Sequence, residues 1–172
     1  MRFALSLVVL PVLALSACQK ADDETETDPA DEIVEPIGSY DIDPESGEVR
    51  ATHTDAAGVT TTMRAGETVE ARFPEPFTGY PGADITNTTR VEQGDGTSIT
   101  IEFITADARD EVVKFYREQA GEAGIEPDVE VAGGATTTLG GENLQRDIRF
   151  ALQVTRVSAR TEGQLNVSRG FD

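Results

Sequence analysis

The chain has 172 residues, with 32 Asp and Glu against 14 Lys and Arg, and a formal net charge of −18. That length leaves room for one domain and a tail, and so acidic a chain disfavours nucleic acid, whose phosphates need clustered Lys and Arg. The charge is uneven: residues 19–47 hold eleven acids against Lys20, whereas residues 48–172 hold 21 acids against 12 bases.

At the N-terminus, Arg2 is followed by an apolar run from Phe3 to Leu15 and then by small Ser16 and Ala17, the layout of a secretory signal. Cys18 is the one cysteine of the sequence, so it has no second thiol in the chain to pair with. Leu15-Ser16-Ala17-Cys18 resembles a bacterial lipobox, and the resemblance implies cleavage before Cys18 and lipid modification of that residue. One acyl chain holds a protein reversibly and two or more hold it firmly, so the multiple acylation that the resemblance implies makes a lasting anchor in the bilayer. Gln19 stands where an Asp would suggest inner-membrane retention, which directs the expected location to the periplasmic face of the outer membrane. No second apolar stretch is long enough for a transmembrane helix.

The expected organisation is a signal peptide over 1–17, a lipid-anchored acidic disordered linker over 18–47, an N-terminal β-hairpin and Pro-rich connector over 48–79, and a small α+β domain over 80–172. A stretch such as Asp22-Asp23-Glu24-Thr25-Glu26-Thr27-Asp28 has too little apolar surface to offset chain entropy. It reads as a spacer with an end-to-end distance of about 30 Å, setting the folded part clear of an anionic membrane surface. Glu48–Thr54 and Val59–Arg64 are rich in Val and Thr and flank Asp55-Ala56-Ala57-Gly58, a turn composition that predicts the hairpin. Whether this hairpin joins the main sheet is open at this level.

Tyr80-Pro81-Gly82-Ala83 predicts a rigid turn. Strands are then predicted over Ile85–Glu92 and Thr97–Ile104, with Asp95-Gly96 as the hairpin signal. Ile99, Ile101 and Phe103 alternate with Thr100 and Glu102, so one face is core and the other wet. Asp107 is the predicted N-cap of a helix over Ala108–Ala123, with Val112, Val113, Tyr116, Ala120 and Ala123 on one stripe and Gly124 at its end. Further strands are predicted over Asp128–Ala132, Ala135–Leu139, Asp147–Val157 and Gln164–Ser168, the third of these with an exposed edge. The fold class is α+β: an antiparallel β-sheet with one covering α-helix, in the order ββαββββ. The N-terminal β-hairpin and the disordered acidic tether precede it.

Tyr80-Pro81-Gly82-Ala83, the strand ending Phe103-Ile104-Thr105, and Asp107 leading to Val112-Val113-Lys114-Phe115-Tyr116-Arg117 and Gly124 together resemble a group of small uncharacterised proteobacterial envelope lipoproteins. Asp43-Pro44-Glu45-Ser46-Gly47-Glu48-Val49 and Thr62-Met63-Arg64-Ala65-Gly66 fit the same resemblance, which spans about residues 40–170. It implies fold and location and carries over no catalytic residue.

Catalytic chemistry has little to stand on in these residues. His53 lies two residues before Asp55, a spacing in which a carboxylate can orient an imidazole, yet no Ser or Cys nucleophile stands beside it in the sequence, and a Thr-rich strand favours an exposed histidine. Asp41, Asp43, Glu45 and Glu48 around Gly47 invite a calcium reading, but their spacing is not that of an EF-hand loop and a plain turn accounts for it. Gly133-Gly134 and Gly140-Gly141 lack the following helix and Lys of a phosphate loop. Arg146, Arg149, Arg156 and Arg160 form the one basic cluster of the sequence, to be weighed against a solvated sheet face. The expectation is therefore a non-enzymatic accessory or adaptor, without metal or cofactor, that contacts an envelope protein partner, its edge strands open to β-augmentation. The alternative is a small-ligand binder with a helix–sheet cleft near Phe103, Tyr116 and Phe150.

Overall fold

In the computed structural model, which describes residues 38–171, alternation of apolar and polar residues dictates the centre of the molecule. In β5 (Gly96–Thr105), Ile99, Ile101 and Phe103 are all but fully buried, while Ser98, Thr100 and Glu102 point the other way. β4 (Asp84–Gln93) pairs with β5 through a two-residue loop, with Gln93 opposite Gly96. The loop is Gly94-Asp95, and Gly94 takes a φ of 56°. The glycine thus sits at the first central position, where tight hairpin turns of this kind require positive φ, and the Asp95-Gly96 pair singled out in the sequence is shifted one place from the turn.

Nine strands form one antiparallel sheet in the order β1-β2-β3-β4-β5-β9-β8-β7-β6. The remaining strands are β1 (Gly38–Ile42), β2 (Val49–Thr54), β3 (Thr60–Gly66), β6 (Val129–Gly133), β7 (Thr136–Asn143), β8 (Ile148–Val157) and β9 (Arg160–Arg169). The predicted hairpin of β2 and β3 belongs to this sheet, because β3 pairs with β4 from Thr61–Gln93 to Gly66–Thr88. β1 lies inside the stretch assigned to the disordered linker. Ser39, Tyr40, Asp41 and Ile42 alternate like any strand, and Asp43 turns the chain into β2 by accepting the backbone N–H groups of Glu45 and Ser46 at 2.9 Å each. The order is therefore five strands, one helix and four strands. The signal peptide and the lipobox lie outside the described residues, as does the linker up to residue 37.

The helix α1 (Arg109–Glu122) carries the chain from β5 to the far edge at β6, and the following meander returns so that β9 pairs with β5 from Thr97–Arg169 to Thr105–Thr161. This crossover makes β8 an interior strand between β7 and β9, where the sequence reading places an edge. Its polar residues Gln153 and Thr155 lie on the face turned away from the helix. The edges are β1 and β6.

Side chains tie the helix at both ends. Its N-cap is Ala108, with the Glu111 carboxylate accepting the Ala108 N–H. Asp107, the predicted cap, instead accepts the Tyr80 hydroxyl at 2.9 Å, while its carbonyl accepts Arg156 Nη1 at 2.9 Å and Thr161 Oγ1 at 2.7 Å. At the other end Gly124 has a φ of 72°, the left-handed conformation that ends helices, and Asn143 Nδ2 donates to the carbonyls of Ala123 and Gly124. The connector between β3 and β4 crosses the same side of the sheet. Phe77 stacks on Phe150 at 5.4 Å, and Gln119 of the helix exchanges hydrogen bonds with Thr78.

The core lies between sheet and helix: Ile99, Ile101, Phe103, Leu139, Phe150, Leu152, Val154, Leu165 and Val167 face Val112, Tyr116 and Ala120. Each Val, Leu, Ile or Phe among them contributes about 1.5–3 kcal/mol by leaving water. The sheet leaves no slack at Gly163, where an added Cβ would come within 2.2 Å of Phe103 Cζ. Gly163→Ala is expected to lose about 1–3 kcal/mol by overpacking. Gly133→Ala, where a Cβ meets nothing within 4 Å, should stay within about 0.5 kcal/mol of the parent. Thermal or urea unfolding of the two variants checks the pair.

Candidate interaction surface

The aromatic residues proposed to line a ligand cleft are core. Phe103, Tyr116 and Phe150 are 1%, 0% and 3% exposed. Phe103 and Tyr116 lie 6.2 Å apart, and Tyr80 packs against both rings. Phe103 also borders an open depression, but one walled by Glu102, Gln153 and Gln164, the polar side chains of the opposite face. The Tyr116 hydroxyl is buried beside the Tyr80 backbone, with no hydrogen bond of ordinary geometry among the described residues, and burial holds its proton on far above the ordinary phenol range. The helix–sheet interface is thus filled by the aromatic contacts that were to have lined the cleft.

The polar groups named from sequence are engaged locally. His53 is exposed on β2, and Asp55 Oδ1 accepts the N–H groups of Ala57 and Val59, closing the β2–β3 turn. Asp43 is bound by backbone amides, and these hold its carboxyl below the usual range. The arginine cluster does not assemble. Arg146 donates to the Glu122 carbonyl, Arg149 pairs with Glu142, Arg156 serves the helix entrance, and Arg160 pairs with Glu162. Among the described residues no group of three His, Cys, Asp or Glu side chains is gathered for a metal ion.

What the structure assembles instead is a surface that no single segment announces. Residues paired across antiparallel strands share a face, so the register assigns every side chain of β1 to β4. On the face turned away from the helix, Tyr40, Ala51, Met63 and Val91 form one row. Ile42, Val49, Ala65 and Thr89 form the next, and Gly38, His53, Thr61 and Gln93 the third. These twelve positions include no Asp, Glu, Lys or Arg. Tyr40 is 66% and Ile42 52% exposed, and nothing among the described residues covers them.

The helix side of the same strands carries the charge. Asp41, Arg50, Arg64 and Arg90 stand in one row. Three adjacent arginines repel one another unless a counter-charge intervenes, and Glu48 supplies it. The Glu48 side chain is 7% exposed, and its Oε1 accepts Arg50 Nε at 2.8 Å and Arg64 Nε at 2.7 Å. Glu92 accepts Arg90 Nη2. The sheet therefore changes sides. In β5, β9, β8 and β7 the apolar residues face the helix, whereas in β1 to β3 they face outward.

No family model, curated protein or solved structure matches the chain. The surface is accordingly read from its own geometry.

Hydrogen bonds from Arg64 and Arg50 draw the Glu48 carboxyl down from 4.5 to about 2. A carboxyl depressed in the folded state contributes stability that is present above its unfolded value and lost as pH falls through its folded one. Glu48→Gln should therefore unfold at lower temperature than the parent at pH 7. The gap should narrow between about pH 4.5 and pH 2 as the parent's carboxylate is protonated, which a series of melting curves across that window measures.

Proposed function

We propose that this chain is a lipid-anchored accessory protein of the bacterial envelope, held to the periplasmic face of the outer membrane through Cys18, and that it acts by contact with another envelope protein. It performs no chemistry of its own in this reading. The observation that carries it is the uncharged, partly apolar face of β1 to β4. Water-exposed sheet faces in a chain this acidic are expected to be charged, and an uncovered apolar surface marks a contact site. The five-residue edge strand β1 borders the same face and can accept a partner strand by β-augmentation. Leu15, Ser16 and Ala17 before Cys18 support the anchor, and the acidic segment after it supports a spacer function.

A photocrosslinking amino acid placed at Met63, on the uncharged face, should capture one dominant envelope protein in living cells. The same probe at Arg64, one residue on and facing the other side, should capture that protein far less. Cys18→Ser should release the chain from the membrane fraction and reduce the Met63 adduct. Equal and diffuse labelling from both positions would count against the contact reading, and a Cys18→Ser chain that still sediments with membranes would count against the anchor.

A further inference from the structure

The uncharged face of one copy is small for the work assigned to it. Four strands about 4.8 Å apart, with three same-face rows about 6.8 Å apart, have a flat footprint of about 390 Å². A stable protein interface uses about 800 Å² from each partner. Two copies joined edge to edge would present a footprint of about 780 Å² in one continuous sheet face. Building on the reading of this face as a contact surface, we infer that the platform is made by two copies of this chain, whose β1 strands pair antiparallel about a two-fold axis at Tyr40.

β1 is suited to that pairing. Among the described residues it ends the sheet and bonds to β2 alone, so its outward N–H and C=O groups form an open template. The strand has no Pro, no Lys and no register shift, devices that commonly block an edge. Its one charge, Asp41, lies on the helix side opposite Arg50, whose guanidinium feels its charge, and so stays off the platform.

Charge and the length of the pairing set the register: an axis at Tyr40 pairs all five residues of β1. A two-fold axis at Tyr40 sets Tyr40 against its twin, Gly38 against Ile42 and Ser39 against Asp41, with no like charges directly opposed. Sliding the pairing so that Asp41 is its own partner would set two carboxylates face to face, which is destabilising. In the selected register the rows Tyr40-Ala51-Met63-Val91 and Ile42-Val49-Ala65-Thr89 run on into the second copy's strip. The two charged helix sides lie together on the other face. Anchoring both copies in one membrane raises their effective concentration, as any tether does.

The test is disulfide trapping in the full chain, exported to the oxidising envelope. Residues opposite one another in an antiparallel pair have Cα atoms about 4.5–5.5 Å apart, within disulfide reach. Tyr40→Cys should therefore run at twice the monomer mass on non-reducing gels. Ser39→Cys, whose twin is offset along the strand by two residues, should cross-link far less, with the parent chain bearing Cys18 alone as background. Sedimentation of the unmodified full chain in detergent should show a concentration-dependent dimer. A Tyr40→Cys chain with unchanged circular dichroism that stays monomeric, with a monomeric parent in the centrifuge, would overturn the second-copy inference. If the Met63 probe still captures another protein in that case, the contact reading survives alone; if it captures nothing, both fall.

Discussion

One helix cannot cover nine strands. α1 has 14 residues and spans about 21 Å, whereas nine strands spaced about 4.8 Å apart make a sheet about 38 Å wide. The rest of the architecture answers that mismatch. Under the helix and the β3–β4 connector, β5, β9, β8 and β7 bury Ile, Leu, Val and Phe on one side. Beyond the reach of that cover, β2 to β4 put Arg50, Arg64, Arg90 and Glu92 on the same side, where solvent and the buried Glu48 carboxylate hold them. Alternation then sends Val49, Ala51, Met63, Ala65 and Val91 to the outer face, and β1 adds Tyr40 and Ile42 beside them. The uncharged surface is the geometric consequence of a sheet wider than its cover.

The functional reading rests on where that consequence falls. The uncharged strip adjoins an edge left open among the described residues, and Gly38 begins β1 directly after the acidic segment of the sequence. Polar groups elsewhere are absorbed locally, as Asp55 is by its turn and Asp107 by Tyr80, Arg156 and Thr161.

Much of the fold was legible in the sequence because it depends on local pattern. The period-two runs of β5 and β8 and the apolar stripe of α1 with Gly124 behind it each need only a few neighbouring residues. What escaped depends on distant partners. Composition places β1 in the linker because Asp41 and Asp43 weigh on it, although Tyr40 and Ile42 alternate. Sequence order alone leaves β8 with an exposed edge, yet the crossover through α1 brings β9 back to β5 and encloses it. The cleft residues were named from apolarity alone, which does not distinguish a lined cavity from a packed core. The outer face was hidden because Thr-rich strands such as β2 and β3 do not declare which side is dry; only the register aligns Ala51 with Met63 and Tyr40.

The central claim is that the outer face of β1 to β4 is covered by protein in the cell. Cysteine accessibility measures it most directly, by comparing Ile42→Cys on that face with Arg64→Cys on the helix side in intact envelopes and after purification in detergent at high dilution. The account predicts that the thiol at position 42 is slow to react with a polar maleimide in the envelope and fast once purified and diluted, while the thiol at position 64 is fast in both. Equally fast labelling at position 42 in the envelope and in detergent would contradict it.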